Sequence, residues 1–269
     1  MNTSTTKALI IVSFGTTHDE GRAQSLDAIE EIAARRFPDW HVCQAFTSAA
    51  VRTRLSARGI TYASLEEQLD RLHRQGFSVI LVMPVLLLAG IEYEKICRTM
   101  QLAQNRFKTI HIEEPLLASY DARISVLRHV CQSYRTTAAD GIVCIGHGSA
   151  HAANRLYSLM QEEAQAAGLS QLYIGTIEAA PSFDDVSARI LQARCSRVTL
   201  VPLLYTAGVH TAEDIAGRQE MSWRTRFEKA GIAVYAETRG LGEIPWMREL
   251  VLERCRQAVS LAESAAGGV

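Results

Sequence analysis

The feature that most constrains this chain is an internal repeat. Pro84-Val85-Leu86-Leu87-Leu88-Ala89-Gly90-Ile91-Glu92 aligns without a gap on Pro202-Leu203-Leu204-Tyr205-Thr206-Ala207-Gly208-Val209-His210. Two further pairs fall in the same order. Ser13-Phe14-Gly15-Thr16 matches Gly146-His147-Gly148-Ser149, and Ala45-Phe46-Thr47-Ser48 matches Thr176-Ile177-Glu178-Ala179. A chain of 269 residues built this way is expected to fold as two similar units of roughly 130 residues, each of ordinary domain size. The copies differ in their chemistry. Phe14, Thr47 and Glu92 in the first half stand opposite His147, Glu178 and His210 in the second. Two neutral imidazoles and a carboxylate suit a divalent transition metal. The first half reads as a scaffold copy with most of its ligands missing.

Short apolar runs alternate with amphipathic stretches. Strands are expected at Ala8–Phe14, Val42–Phe46, Val79–Val85, Thr109–Ile112, Ile142–Ile145, Leu172–Ile177, Val198–Leu203 and Ala233–Glu237. Their consecutive Val, Ile and Leu residues are those of strands buried on both faces. Helical patterns lie between them at Ala23–Phe37, from a capping box at Ser64–Glu67 to Gln75, at Ala152–Ala167, at Asp184–Ala193 behind a cap at Ser182, and from Ile244 to Ala262. The expected fold class is α/β: two similar α/β domains with parallel sheets flanked by helices and a cleft between them. The expected division is 1–137 and 138–269, with the join near Arg135–Gly141. The last helix is long enough to pack back on the first half, and Gly267-Gly268-Val269 reads as a frayed end.

Composition narrows the function classes. A net charge of -1 argues against a general nucleic-acid surface. Six scattered cysteines, with no C-x-x-C, argue against a structural zinc site or a disulfide framework and read as reduced core thiols. The first apolar run ends at Gly15 with no cleavage-site pattern, and no stretch approaches the roughly 20 apolar residues that span a bilayer. A cytoplasmic protein without membrane contact is expected. Neither phosphate-binding glycine motif is present, and no G-x-S-x-G marks a serine nucleophile.

Ligands of open α/β sheets gather at the carboxyl ends of strands. His147, Glu178 and His210 each come after a different strand, so three independent loops converge on one edge of one sheet. Taken singly, each has a plainer role. His147 between two glycines is equally a turn residue, Glu178 a solvated carboxylate or helix cap, and His210 the cap of a helix beginning near Thr211. His151, four residues after His147, is expected near the site or on the surface rather than as a ligand. His18, His41, His73, His111 and His129 have no matched partners.

At these residues the chain resembles the anaerobic cobalt chelatases of cobalamin synthesis, the CbiK-type sirohydrochlorin cobaltochelatases, which are relatives of ferrochelatase. Val12-Ser13-Phe14-Gly15-Thr16, Ala45-Phe46-Thr47-Ser48, Glu92-Tyr93-Glu94-Lys95-Ile96, Gly146-His147-Gly148, Ile177-Glu178, Ala207-Gly208-x-His210 and Gly240-Leu241-Gly242-Glu243 carry the resemblance from the first strand to the final helix. Two departures stand out. Ser149-Ala150-His151-Ala152 holds one histidine where the family pattern has a pair, and Thr53–Tyr62 shows no family motif.

The resemblance implies a lyase-class metal chelatase that inserts Co2+ into sirohydrochlorin. His147, Glu178 and His210 would hold the metal. His147, His210 and Glu92 would serve catalysis, with Glu92 taking a ring proton or orienting the macrocycle. Phe14, Glu92 and Tyr205 would meet the macrocycle, with Leu86–Leu88 read as core. Arg52, Arg54, Arg58 and Lys95 could pair with substrate carboxylates. No permanently bound cofactor is expected, since Co2+ is itself a substrate. The partners expected are sirohydrochlorin and a divalent metal, with no nucleic acid, no membrane and a homo-oligomer possible. Insertion of Fe2+ or Ni2+ on the same scaffold, a non-catalytic metal or tetrapyrrole carrier, and a two-lobed binding receptor are the other readings.

Overall fold

A computed structural model describes residues 6–134, 137 and 140–267, the side chains of 265–267 excepted. Most of the expected join, and the end at 268–269, lie outside the described residues. Contacts divide the chain into two units, Met1–Leu116 with Gly242–Val269, and Leu117–Leu241.

The first unit begins with β1 (Lys7–Ser13). A short α1 (Asp19–Gly21) and a π-helical stretch (Arg22–Asp27) lead into α2 (Ala28–Arg36). Next come β2 (His41–Phe46), α3 (Ala49–Ser56), α4 (Leu65–Arg74), β3 (Val79–Pro84), α5 (Ile91–Ala103) and β4 (Thr109–Ile112). The four strands form one parallel sheet in the order β2-β1-β3-β4. Successive residues of β1 point to opposite faces. Ala8, Ile10 and Val12 pack with Leu65, Leu69 and Leu72 of α4 and with Ile96 and Met100 of α5. Leu9 and Ile11 are equally buried on the other face. This explains a strand without apolar–polar alternation. α4 opens with the expected capping box: Ser64 accepts from Glu67 N–H, and the Glu67 carboxylate accepts from Ser64 N–H.

The second unit repeats the plan with α6 (Tyr120–Ser133), β5 (Asp140–Gly146), α7 (Arg155–Ala166), β6 (Leu172–Thr176), α8 (Phe183–Gln192), β7 (Arg197–Pro202), α9 (Trp223–Lys229) and β8 (Ala233–Ala236). Its sheet is again parallel, in the order β6-β5-β7-β8, which is the order of the first unit. Val143 and Ile145 of β5 pack on Phe183, Val186 and Ile190 of α8 and on Trp223 and Phe227 of α9. Ser182 caps α8 through a second capping box, with Asp185. The final α10 (Pro245–Gly267) belongs to the first unit, where it meets α2 and β3.

The division therefore differs from 1–137 and 138–269. α6 stands in the second unit because it packs on α7 and is pinned there. Arg123, buried, makes a two-point ion pair with Glu163 of α7 and donates to the carbonyls of Leu117 and Ala118, where the chain enters the unit. The cysteines are all free, but only Cys43, Cys144 and Cys255 are buried; Cys97, Cys131 and Cys195 are partly exposed, so core thiols describe half of them. Burial pushes the Cys43 and Cys255 thiols up to about 12, which leaves them inert. Among the described residues no helix is long and apolar enough to cross a membrane.

Candidate metal centre

In the second sheet the chain leaves β5 to one side for β6 and returns to the other side for β7. The connections thus diverge at the carboxyl ends of β5 and β7, the position where open α/β sheets hold ligands. Register brings the strand ends level: Ile145 pairs with Pro202, and Gly146 with Thr176. The loop after β5 carries His147, the loop after β6 carries Glu178, and the longer loop after β7 carries His210. Their ligand atoms all lie within 4.8 Å of one another. The three residues expected to converge do so, and each is only half-covered.

The turn at His147 is shaped by its neighbours. At Gly146 a Cβ would stand 2.3 Å from the ring of Tyr157, so no side chain fits there. Gly148 has φ +81°, and a Cβ there would lie 2.8 Å from Thr176 and 2.9 Å from the backbone nitrogen of Ala179. Burial pushes the pKa of Tyr157 up to about 12, against the backbone N–H groups of Gly148 and His147, which lower it. Glu178 N–H donates to the His147 carbonyl at 2.9 Å, which ties the two ligand loops together. His147 is a turn residue and a potential ligand at once. Glu178 caps no helix, since Ser182 caps α8.

The imidazoles are oriented by what their Nδ1 atoms meet. His147 Nδ1 lies 2.9 Å from the Gly148 carbonyl and 3.5 Å from a Glu178 carboxylate oxygen. His210 Nδ1 lies 2.7 Å from the Asp214 carboxylate. A carbonyl and a carboxylate can only accept, so both Nδ1 atoms carry the proton. Both Nε2 atoms then present lone pairs, and they face each other at 3.2 Å. Two bare lone pairs at that distance repel unless a proton or a cation joins them. Nitrogens bound to one divalent ion at about 2.0–2.1 Å stand about 3.3 Å apart along a tetrahedral edge. The observed spacing is thus close to that of a bound ion. The donor set of two imidazoles and one carboxylate leaves further coordination positions open, which suits a metal that must be passed on.

His210 does not cap a helix. Its side chain makes no capping bond, and the next element is the short π-helical turn Thr211–Ile215 rather than an α-helix. His151 accepts from Ala153 N–H at the start of a single 3-10 turn, Ala152–Asn154. Tyr205, expected to face the macrocycle, is instead buried. In the first unit Phe14 is 48% exposed, an unusual position for a phenyl ring. Glu92 lies in the first turn of α5, where the helix dipole favours a carboxylate, and pairs with Lys95 at 2.6 Å. Arg58 is engaged by Asp19 and the Thr17 carbonyl, and Arg52 lies 3.8 Å from Glu67. Reading the sequence missed Asp214 and Tyr157. Asp214 was visible only as an acid four residues after a candidate ligand.

The comparisons agree with this architecture. The chain is 31% identical to the sirohydrochlorin cobaltochelatase of Salmonella typhimurium over 260 residues, covering 95% of this chain and 97% of that protein. It is 26% identical to the sirohydrochlorin cobaltochelatase CbiKC of Nitratidesulfovibrio vulgaris, covering 95% and 92%. Among solved structures it superposes on SirB from Bacillus subtilis, determined with Fe3+, with a TM-score of 0.63 at 17% identity, covering 96% and 98%. It superposes on CbiX, described as the terminal enzyme for biosynthesis of sirohaem in denitrifying bacteria, with a TM-score of 0.55 at 16% identity, covering 94% and 99%. Those two show a shared fold. The family model for cobalt chelatase (CbiK) matches residues 7–260, from β1 into α10 and through all three convergent loops. With two parallel sheets of one strand order and that match along nearly its whole length, the chain belongs to the CbiK cobalt chelatase family.

Proposed function

We propose that this protein inserts Co2+ into sirohydrochlorin, with His147, Glu178 and His210 holding the incoming metal. The observation that carries the reading is the pair of Nε2 atoms facing each other at 3.2 Å, with a carboxylate in the same cluster. The reaction exchanges one Co2+ for two pyrrole N–H protons. The metal must therefore arrive with coordination positions free for ring nitrogens, and two protons must leave. Three protein ligands leave such positions, where a closed four-ligand cage would retain the ion. Neutral imidazole and carboxylate are also bases able to accept the departing protons. Cobalt is a substrate here, and no resident cofactor is needed. Glu92 is proposed as a second proton acceptor or a macrocycle-orienting carboxylate, and the exposed Phe14 ring as an apolar face for the macrocycle.

The test is purified protein with excess sirohydrochlorin and, separately, Co2+, Fe2+ and Ni2+, monitored by the absorbance change on insertion. Multiple turnovers with Co2+ above the metal-only background support the reading. Binding of both substrates with no product would make the protein a carrier. Faster turnover with Fe2+ or Ni2+ at matched concentration would reassign the metal.

A further inference from the structure

We infer that Asp214 is a positioning residue for His210, brought into place by one residue inserted into the repeat. The inference rests on His210 being a metal ligand. The two copies run in step from Pro84 to Glu92 and from Pro202 to His210. Beyond that point they part. In the first unit Glu92 lies in a regular α-helix, and the next core residue, Ile96, comes four positions later, 1% exposed. In the second unit the core residue is Ile215, fully buried and five positions after His210.

The extra residue is taken up by the π-helical turn Thr211–Ile215, in which Ala216 N–H donates back five residues to the Thr211 carbonyl. A π-turn accommodates one residue more than an α-turn, so the core isoleucine keeps its place. Asp214 occupies the position just before it, and its carboxylate sits 2.7 Å from His210 Nδ1. At the equivalent distance from Glu92 the first copy has the core residue Ile96 itself. The scaffold copy thus lacks both the imidazole and its acidic partner, and Glu92 pairs with Lys95 instead.

The chemistry is specific. A neutral imidazole has two tautomers, and only the one protonated at Nδ1 offers Nε2 to a metal. By accepting the Nδ1 proton, Asp214 selects that tautomer, fixes the ring plane and makes Nε2 a better donor. In this role it acts through His210. In the same role His147 Nδ1 meets the Gly148 carbonyl at 2.9 Å, with a Glu178 carboxylate oxygen farther off at 3.5 Å.

The experiment uses the full chain and aqueous Co2+. Affinity is read by calorimetry and by the visible bands of bound Co2+. The tautomer of metal-free His210 is read by long-range proton–nitrogen NMR, with its signal assigned by its loss in His210→Ala. Asp214→Ala is expected to weaken Co2+ binding by about 10–100-fold and to move the His210 proton toward Nε2. Asp214→Asn, whose amide oxygen still accepts the Nδ1 proton, is expected to keep the tautomer and weaken binding less. Wild-type affinity in Asp214→Ala, or weaker binding with the tautomer unchanged, would overturn the positioning role. If Asp214→Ala does not fold, Asp214→Asn decides, and unchanged affinity there overturns it. Wild-type affinity in His210→Ala would instead remove the ligand assignment beneath the inference.

Discussion

Gly148→Ala tests whether the turn that presents His147 is built by close approach or merely by a flexible residue. Two separate costs are expected. Holding an L-residue at φ +81° costs about 1–2 kcal/mol. The added methyl would also stand 2.8 Å from Thr176 and 2.9 Å from the backbone nitrogen of Ala179. Thr176 cannot turn aside freely, because its hydroxyl donates to the Ala179 carbonyl at 2.6 Å and accepts from Ala179 N–H at 3.2 Å. Crowding of this kind costs about 1–3 kcal/mol, so the substitution should cost about 2–5 kcal/mol together. Gly168→Ala is the control in the same unit. Its φ is +79°, but a Cβ there meets nothing within 4 Å, so only the backbone cost of about 1–2 kcal/mol applies. Urea unfolding of both variants reads the difference, and Co2+ titration should show weaker binding for Gly148→Ala alone, because the displaced segment ties His147 to Glu178. Equal destabilisation by the two substitutions would refute the close-approach argument.

Further predictions concern the asymmetry of the copies and the acid stability of the second unit. Phe14→Ala should leave Co2+ affinity within about twofold, while Glu178→Ala should weaken it at least about tenfold, since even an outer partner of a ligand is worth about 10–100-fold; calorimetry on folded variants decides. Glu237 is buried, which raises its pKa, but hydrogen bonds from Arg239, Tyr134 and the Arg239 backbone outweigh that and hold it down at about 2. A carboxyl depressed in the folded state contributes stability above its ordinary pKa and loses it as pH falls toward the folded value. Glu237→Gln should therefore cost about 1–3 kcal/mol at pH 7, with the gap from wild type closing between pH 4.5 and about 2 in urea unfolding. A gap independent of pH would contradict the charge-based reading.

Much of the fold was legible in the sequence because burial on both faces leaves a simple mark. The inner strands β1, β3, β5 and β7 are rich in Val, Ile and Leu, and the bounds of the eight strands among the described residues lie within two residues of those expected. Helices opened by capping boxes, at Ser64 and Ser182, were equally plain. α6 was not, because its inward face includes Arg123, a charge buried only by virtue of Glu163 forty residues away. Its membership in the second unit was hidden for the same reason: the join carries no linker composition. The three convergent residues could be read because the repeat supplies its own blank copy for comparison. Asp214 stands at helical spacing from His210, four residues on, but nothing in the sequence singles out that offset until the core isoleucine after it is placed. The four-against-five spacing from Glu92 to Ile96 and from His210 to Ile215 is the trace of the extra residue in the sequence. Tyr205 misled because a ring in a loop next to a ligand looks available until its burial is known.

If metal passes through the second-unit cluster, neither histidine can be spared. The most direct measurement is steady-state formation of cobalt-sirohydrochlorin by wild type, His147→Ala and His210→Ala, each shown folded by circular dichroism. Wild type is expected to turn over many times, and each variant to lose at least about 99% of the rate, equivalent to removing about 2.7 kcal/mol of transition-state stabilisation. Turnover by either folded variant at the wild-type rate would contradict the assignment.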